Sequence, residues 1–477
     1  MIGVAVASTL AAACITFGVV LVFLRHRAYR RQITYDPRQS YVLGMAGPAI
    51  ETVSVLAGED GVVLPESITG AVSALLEVEV RASAAGRLFE PAVEIRAGDF
   101  HDIQYFERDA KGARFLNISR LLDSKSAGQR VHLDGHEVRW EPGRVRLHIC
   151  REKVTADDRV LVVAPHPDDA EIAAFGLYAD TRATVVTLTA GDASNRYQNS
   201  LQPWLSLTRS VVANMRVWDS LTIPQFGGVP PERVVNLCLP DGRLREMYLH
   251  PDCDFQGEGD EAPDFPALRR MSRSPLIQGD AGCTWKSLVR DLTCIISDTR
   301  PTIVVAPHPR LDPVSDHLFA TVALGEALQS AGLTTGRMFL YTVHNRRSEL
   351  WPFGPAGSGV ALLPILPEDG NCASGFYSHG LSVERQRQKF IALEAMHDVR
   401  DIQWPTGATY QQVGLRIAAE LRALAHGMGV VPTSYLRRAV RPDELFFVTS
   451  FDGGMMLGRR ALEQERPAVR SRSHSCM

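Results

Sequence analysis

Apolar residues are spaced along this chain in three different ways, and each spacing predicts a different kind of structure. Residues 2–24 run for 23 positions without a charge, which as a helix is long enough to cross a hydrocarbon core of roughly 30 Å. Between about 38 and 150 the apolar positions come in short β-prone runs, at 54–56, 76–80, 92–95, 114–118, 130–133 and 144–149, separated by turns containing Gly, Asp or Pro. That spacing predicts a small antiparallel sandwich, although its alternation is imperfect and 70–80 also fits a helix. From Arg159 onward, apolar strands alternate with amphipathic helices, the signature of a mostly parallel sheet flanked by helices.

Within this last region a strand at 160–164 leads through a loop into a helix at about 169–180, and a second strand at 184–189 ends in Ala190, Gly191 and Asp192. A helix near 205–221 precedes a third strand at 234–239. A helix carrying Trp285, Leu288, Val289, Leu292, Ile295 and Ile296 on one face leads to a strand at 302–306, the spacings of three and four being those of an amphipathic helix. A helix at 316–329, a strand at 338–343 and a closing helix at 383–397 complete the pattern. The insertions at 240–280 and 345–380 exceed normal loop lengths and are expected to wall a substrate site. The tail beyond Arg459, rich in Arg and Ser, is expected to be disordered. The predicted fold class is α/β with a Rossmann-like, mostly parallel sheet. Its expected parts are an N-terminal anchor with a basic flank at 1–31, a β-rich accessory unit at 38–150, the α/β domain at 151–425 and a C-terminal extension at 426–477. The β-rich unit reads as a spacer or packing domain in preference to a sugar-binding module.

Charge changes this picture mainly at the start. Arg25, His26, Arg27, Arg30 and Arg31 follow the apolar run, with only the amino terminus positive ahead of it. The positive-inside rule then expects a single-pass anchor in the inner membrane with the bulk of the chain on the cytoplasmic side. A cleaved signal peptide fits less well, because a basic n-region is missing and the run exceeds the usual h-region of about 7–15 residues. The formal net charge of -3, with no Lys/Arg stripe interleaved with aromatics, argues against nucleic acid as a partner. Eight cysteines are scattered without a C-x-x-C pair, so neither a structural zinc knot nor a disulfide framework is expected.

Candidate chemistry gathers at two strand ends, where open α/β sheets bind their ligands. After 160–164 comes Pro165-His166-Pro167-Asp168-Asp169-Ala170-Glu171, and after 302–306 comes Pro307-His308-Pro309-Arg310-Leu311-Asp312-Pro313-Val314-Ser315-Asp316-His317. His166 and Asp169 lie three apart across a strand-to-helix turn, a spacing that lets an imidazole nitrogen and a carboxylate oxygen face one point. His317 can approach that point from the neighbouring loop. Two imidazoles and a carboxylate leave a fourth position for water, as in a catalytic zinc site, and ferrous iron suits the same donors. Asp168 is then available as general base toward that water and as acid toward a leaving amine. No G-x-G-x-x-G follows the first strand, which disfavours a nicotinamide dehydrogenase.

His166-Pro167-Asp168-Asp169 followed by Glu171 and Gly176, then Thr187-Leu188-Thr189-Ala190-Gly191-Asp192, then Asp316-His317, resembles the PIG-L/LmbE-type N-deacetylase family over about residues 158–400. The resemblance implies zinc-dependent removal of acetyl groups from N-acetylglucosamine-type conjugates, with His166, Asp169 and His317 as ligands and Asp168 as base. It further implies that Arg209, on the helix after the second strand, and Asp241, in the turn after the third, face sugar hydroxyls or the acyl group. The closing helix, with Lys389, Ala392, Leu393 and His397, is similar to the family's Lys-x-x-Ala-Leu segment ending in His. One position departs from the pattern. The family commonly carries a second His three residues before the ligand matching His317, credited with stabilising the tetrahedral intermediate, and here that position is Val314. His308, His344 and His397 are the candidate replacements, His308 first because it shares the loop, with His344 and His397 expected to contact substrate.

The sequence therefore leads to the expectation of a membrane-anchored zinc deacetylase acting on an N-acetylated sugar conjugate, lipid-linked or a polysaccharide precursor. The alternatives are a catalytically impaired sugar-binding or scaffold protein on the same fold, and a metal amidohydrolase acting on a non-sugar amide.

Overall fold

The computed structural model describes residues 26–123, 126–193, 208–256, 262–277, 282–399 and 434–472, with positions 16, 17, 20 and 23. The first strands are β1 (Ile50–Gly58), β2 (Gly61–Val63), β3 (Ser73–Ala82), β4 (Ala92–Ala97), β5 (Phe100–Tyr105), β6 (Lys111–Asn117), β7 (Arg130–His136), β8 (Val138–Trp140) and β9 (Gly143–Cys150). They make one nine-stranded antiparallel sheet in the order β5-β4-β7-β2-β1-β9-β3-β6, with β8 on β3. It encloses its own apolar cluster, so the expected two-sheet sandwich is instead a single curled, barrel-like sheet, and 70–80 belongs to strand rather than helix. The irregular alternation has a physical cause. Ala74, Leu76, Val78 and Val80 face that cluster, whereas Leu75, Phe115 and Cys150 on the opposite face join the core of the α/β unit, so both faces are apolar where the units meet.

Five parallel strands follow: β10 (Arg159–Ala164), β11 (Arg182–Thr189), β12 (Val234–Leu239), β13 (Ile303–Pro307) and β14 (Arg337–Tyr341). β15 (Gly375–Gly380) and β16 (Asp443–Ser450) close the sheet antiparallel, in the order β12-β11-β10-β13-β14-β16-β15. Nearly every residue of the five parallel strands is buried, as unbroken apolar runs between two helical layers require. The helices are α1 (Asp169–Ala179), α2 (Arg209–Phe226), α3 (Leu244–Leu249), α4 (Phe265–Arg269), α5 (Trp285–Thr299), α6 (Ser315–Ser330), α7 (Val383–Ala395), α8 (Tyr435–Ala439) and α9 (Phe451–Arg472). α5 buries the face carrying Trp285, Leu288, Leu292, Ile295 and Ile296 and is started by a Thr284–Ser287 capping box, which satisfies two orphan donors of its first turn. The chain steps from β10 outward to β11 and β12, then returns to β13 on the other side. The loops after β10 and β13 therefore flank the reversal in strand order where α/β sheets form a crevice.

Three expectations are corrected. No helix among the described residues is long and apolar enough to cross a membrane, which overturns the single-pass anchor and with it the inner-membrane, cytoplasmic-side placement. Most of the run 2–24 lies outside the described residues. Its basic flank folds back onto the β-rich unit, where Tyr29 is buried and its hydroxyl accepts from the Arg108 N–H at 3.1 Å. The tail beyond Arg459 is helical through Arg472 as part of α9. The extension expected at 426–477 supplies β16, which sits between β14 and β15 inside the sheet. Of the two long insertions, 240–280 contributes α3 and α4, and 345–380 contributes β15.

Candidate metal centre

Each strand-end loop is held open by its own acids. The His166 backbone N–H donates to Asp169 Oδ2 at 2.9 Å, which folds the turn between β10 and α1 so that the side chains of residues 166 and 169 meet. Asp312 accepts from the N–H groups of Val314, Val343 and His344 at 3.1, 3.2 and 3.0 Å, tying the loop after β13 to the end of β14. Asp316 accepts from Gly242 and Leu244 at 2.8 and 3.3 Å and so joins the first turn of α6 to the loop after β12. Backbone donors left unpaired in strand-end loops are thus satisfied by carboxylates.

His166, Asp169 and His317 converge. His166 Nδ1 lies 3.2 Å from Asp169 Oδ2, and His317 Nε2 lies 3.3 Å from that oxygen and 3.3 Å from His166 Nδ1. Donors about 2.0–2.2 Å from one tetrahedral ion are themselves about 3.3–3.6 Å apart, so this triangle would fit a zinc-sized cation, and His166 and Asp169 also line the cleft. The remaining ring nitrogens are braced by acids. His166 Nε2 sits 3.2 Å from Asp241 and 3.5 Å from Asp316, and His317 Nδ1 sits 2.9 Å from Asp312. Carboxylates placed there fix each ring's orientation and raise its basicity. His166, Asp241 and Asp316 also group closely enough to be considered as ligands, but both acids address the nitrogen turned away from Asp169 and so serve the first triangle.

The electrostatics agree with the donor set. Burial lowers the His317 pKa, yet Asp169 and Asp312 push it up to about 10, and His166 rises well above the ordinary value against burial because of Asp241, Asp169 and Asp316. Burial raises Asp241, but His166 and Arg216 bring it down to about 2. Asp169 is held well below the usual range by His317 and His166 despite its burial. Carboxylates packed this tightly call for positive charge between them, and a divalent cation competes with the imidazole protons for that place. Asp168 differs: burial, then the charge of Asp398, hold it well above the ordinary range against the pull of Arg216.

The cleft encloses about 360 Å³ and is lined by His166, Asp168, Asp169, Arg216, Asp241, Asp316, His344, Asp398 and Tyr435 among others. Of the sequence candidates beyond the triangle, Asp168, Asp241 and His344 line this cleft. Arg209 does not. It is half exposed on the first turn of α2 and pairs with the buried Asp192, whose other oxygen accepts the Asp241 N–H at 2.9 Å. Arg216, two turns further along the same helix face, lines the cleft and reaches Asp168 at 3.2 Å, Asp398 at 2.5 Å and the Gly191 carbonyl at 3.0 Å. Gly191, at φ 66°, is required there, because a Cβ would come within 2.5 Å of the guanidinium. His308 is also corrected. It is fully buried, one ring nitrogen against the Cys372 carbonyl at 3.1 Å and the other accepting from Arg310 and Leu311 N–H groups at 3.2 Å each, so both nitrogens brace backbone away from the cleft. His397 faces Asp219 of α2 at 2.9 Å rather than the cleft, while its neighbour Asp398 lines it. Glu171, in the first turn of α1, is buried against the Tyr178 hydroxyl at 3.2 Å.

Sequence reasoning missed Arg216, Asp312, Asp398 and Tyr435. Arg216 had a signal, its seven-residue spacing from Arg209 on one amphipathic face, and Asp312 lies within the loop already singled out. Asp398 and Tyr435 arrive from segments with no local pattern marking them.

Residues 161–328 match the family model described as PIG-L: GlcNAc-PI de-N-acetylase. None of the curated proteins is a significant match. Solved structures that resemble the chain include N,N'-diacetylchitobiose deacetylase from Pyrococcus horikoshii, at 16% identity over 63% of this chain and 85% of that one, TM-score 0.33. Two more are the 4-carboxy-2-hydroxymuconate hydratase GalB from Pseudomonas putida KT2440, at 14% identity over 61% and 95%, TM-score 0.31, and the zinc-inhibited form of teicoplanin deacetylase Orf2, at 17% identity over 61% and 98%, TM-score 0.30. Likenesses this distant do not bear on activity, whereas the family match spans both loops that bring His166, Asp169 and His317 together. The likeness to the PIG-L family thus lies in residues 161–328, the part of the chain that holds the His166, Asp169 and His317 cluster.

Proposed function

We propose that the cleft hydrolyses the N-acetyl group of an amino sugar of the N-acetylglucosamine type, carried in a sugar conjugate, with the help of one divalent cation. The observation that carries this reading is the triangle of His166 Nδ1, Asp169 Oδ2 and His317 Nε2 at 3.2–3.3 Å, with Asp168 beside it. Its support is that residues 161–328, the range that contains all four, match a family described as GlcNAc-PI de-N-acetylase. By donor type the cation is zinc, with ferrous iron also suited. When bound it would polarise the acetyl carbonyl and bring the pKa of its water to about 7.

The chain's own residues do the rest. Asp168 accepts a proton from the attacking water as the oxygen–carbon bond forms, and gives it to the nitrogen as the carbon–nitrogen bond breaks, so that a neutral amine and acetic acid leave, the latter then losing its proton to solvent. Its raised pKa, set by burial and Asp398, suits a group that must hold that proton between the two steps. Arg216 keeps Asp168 at its post through the 3.2 Å contact, and Asp241 and Asp312 keep both imidazoles in register. The test is release of free amine from a panel of N-acetylated monosaccharides, oligosaccharides and glycosides by protein stripped of metal and by protein reconstituted with zinc or ferrous iron. Amine release that requires the cation supports the reading. Release that is indifferent to stripping sinks it.

A further inference from the structure

The carbonyl oxygen of an amide takes on negative charge as water adds to its carbon, and stabilising that charge needs donors already aimed into the site. On the deacetylase reading, on which this inference rests, the cleft must supply one. Among the described side chains lining it, Asp169, Asp241 and Asp316 are acceptors, Arg216 is committed to Asp168 and Asp398, and Val314 has no polar atom. Ser315, which is exposed, and the half-buried His344 and Tyr435 also line the cleft and carry neutral donor groups.

Tyr435 opens α8, beyond the parallel strands, and its hydroxyl lies 3.4 Å from His344 Nε2. The two rings meet edge to face at 6.1 Å, and the His344 ring in turn lies 5.7 Å from that of His317. This places a phenol one ring removed from a metal-ligating imidazole. Both partners are braced. The His344 N–H donates to Asp312, the carboxylate that also holds His317, and His344 Nδ1 lies 3.4 Å from Glu349. The buried Arg438 guanidinium lies over the Tyr435 ring at 4.6 Å and reaches Glu349 at 3.1 Å and the Val343 carbonyl at 3.0 Å.

We infer that the Tyr435 hydroxyl is a catalytic donor that binds the acyl oxygen as it becomes anionic, with His344 as the positioning residue that holds the phenol against the cleft. A phenol is a neutral O–H donor near pH 7, so it can turn its hydrogen from His344 to the substrate by rotation about the C–O bond, without any proton changing owner. As the water oxygen bonds to the acyl carbon, the carbonyl π pair moves onto the oxygen facing Tyr435, and it returns when the carbon–nitrogen bond breaks.

The experiment compares parent protein, Tyr435→Phe and His344→Gln, each loaded with zinc, in two measurements: turnover of an N-acetylglucosamine glycoside, and affinity for the N-(methylphosphonyl) analogue, whose tetrahedral anionic phosphorus mimics the developing oxyanion. Tyr435→Phe removes one oxygen and keeps the ring under Arg438. It is expected to lower kcat by about 100-fold, the usual loss for one oxyanion donor, with KM within about twofold, and to weaken the phosphonyl analogue by a similar factor at unchanged zinc content. His344→Gln is expected to cause a smaller loss of the same kind, near tenfold. Undiminished phosphonyl affinity in both variants overturns the role of Tyr435, even where the parent deacetylates. A parent that releases no amine removes the deacetylase reading instead, while the binding series still reports on Tyr435.

Discussion

Replacing Asp168 by Asn exchanges one oxygen for a nitrogen and removes the capacity to carry a proton, while leaving the size of the side chain and its contact with Arg216 nearly intact. Asp168→Asn is therefore expected to cut turnover by about 10²–10⁴-fold, the range for a general acid–base group, with metal content unchanged. Equal turnover in variant and parent would remove Asp168 as the proton carrier. His308 makes the opposite kind of prediction. Burial, and the nearby Arg310 charge, depress its pKa to about 4, against about 6.5 in an unfolded chain. The unfolded chain then binds the proton more readily, so the stability that neutral His308 contributes is complete above about pH 6.5 and is lost as pH falls toward 4. The loss should reach about 1.4 kcal/mol per pH unit. Unfolding titrations of parent and His308→Gln between pH 7 and 4.5 should differ in slope by up to that amount. Parallel curves would show that His308 is not held neutral.

At the scale of single elements, α2 carries two arginines that a sequence cannot rank. Both lie on one helix face, but Arg209 is half exposed at the first turn while Arg216 is buried among Asp168, Asp398 and two carbonyls. Arg216→Ala leaves two buried carboxylates without their cation and should cost about 3–5 kcal/mol together with most of the activity. Arg209→Ala should cost no more than about 1 kcal/mol, as chemical denaturation of the two variants would show. The clustering of His166, Asp169 and His317 was legible because each loop presents its donors within a few residues of a strand end, where local spacing is enough to align them. The parallel strands were legible because burial on both faces forces unbroken apolar runs. What stayed hidden was set by contacts distant in sequence. His308 looks like any loop histidine until the Cys372 carbonyl meets it, and β16, a plain apolar run at Asp443–Ser450, gives no sign that it returns to pair with β14. In β3 the apolar residues on both faces obscured the alternation that would have marked a strand, because one face packs on the other unit.

The molecule as a whole couples its two sheets through buried polar contacts as well as through Leu75, Phe115 and Cys150. Arg120, just after β6, reaches Asp102 of β5 and Asp443 of β16 at 3.0 Å each, and Asn117 donates to Ser378 of β15 at 2.9 Å. Burial pushes the Asp443 pKa up to about 6 even with Arg120 beside it, so the carboxyl depends on that guanidinium. Arg120→Ala should destabilise the protein by about 2–3 kcal/mol. Because the interface is shared, calorimetry of the parent should show one unfolding transition for the two sheets, and two separate transitions would mean that they fold independently. This coupling also fixes the α/β sheet on which the crevice is built, where the loops that follow β10 and β13 bring His166, Asp169 and His317 together. The most direct measurement is zinc stoichiometry after equilibrium dialysis of the parent, Asp169→Ala and His317→Ala, each checked for folding by circular dichroism. One zinc per chain in the parent and little or none in either folded variant is the expected result, and a parent that binds no zinc, or variants that bind as much as the parent, would contradict it.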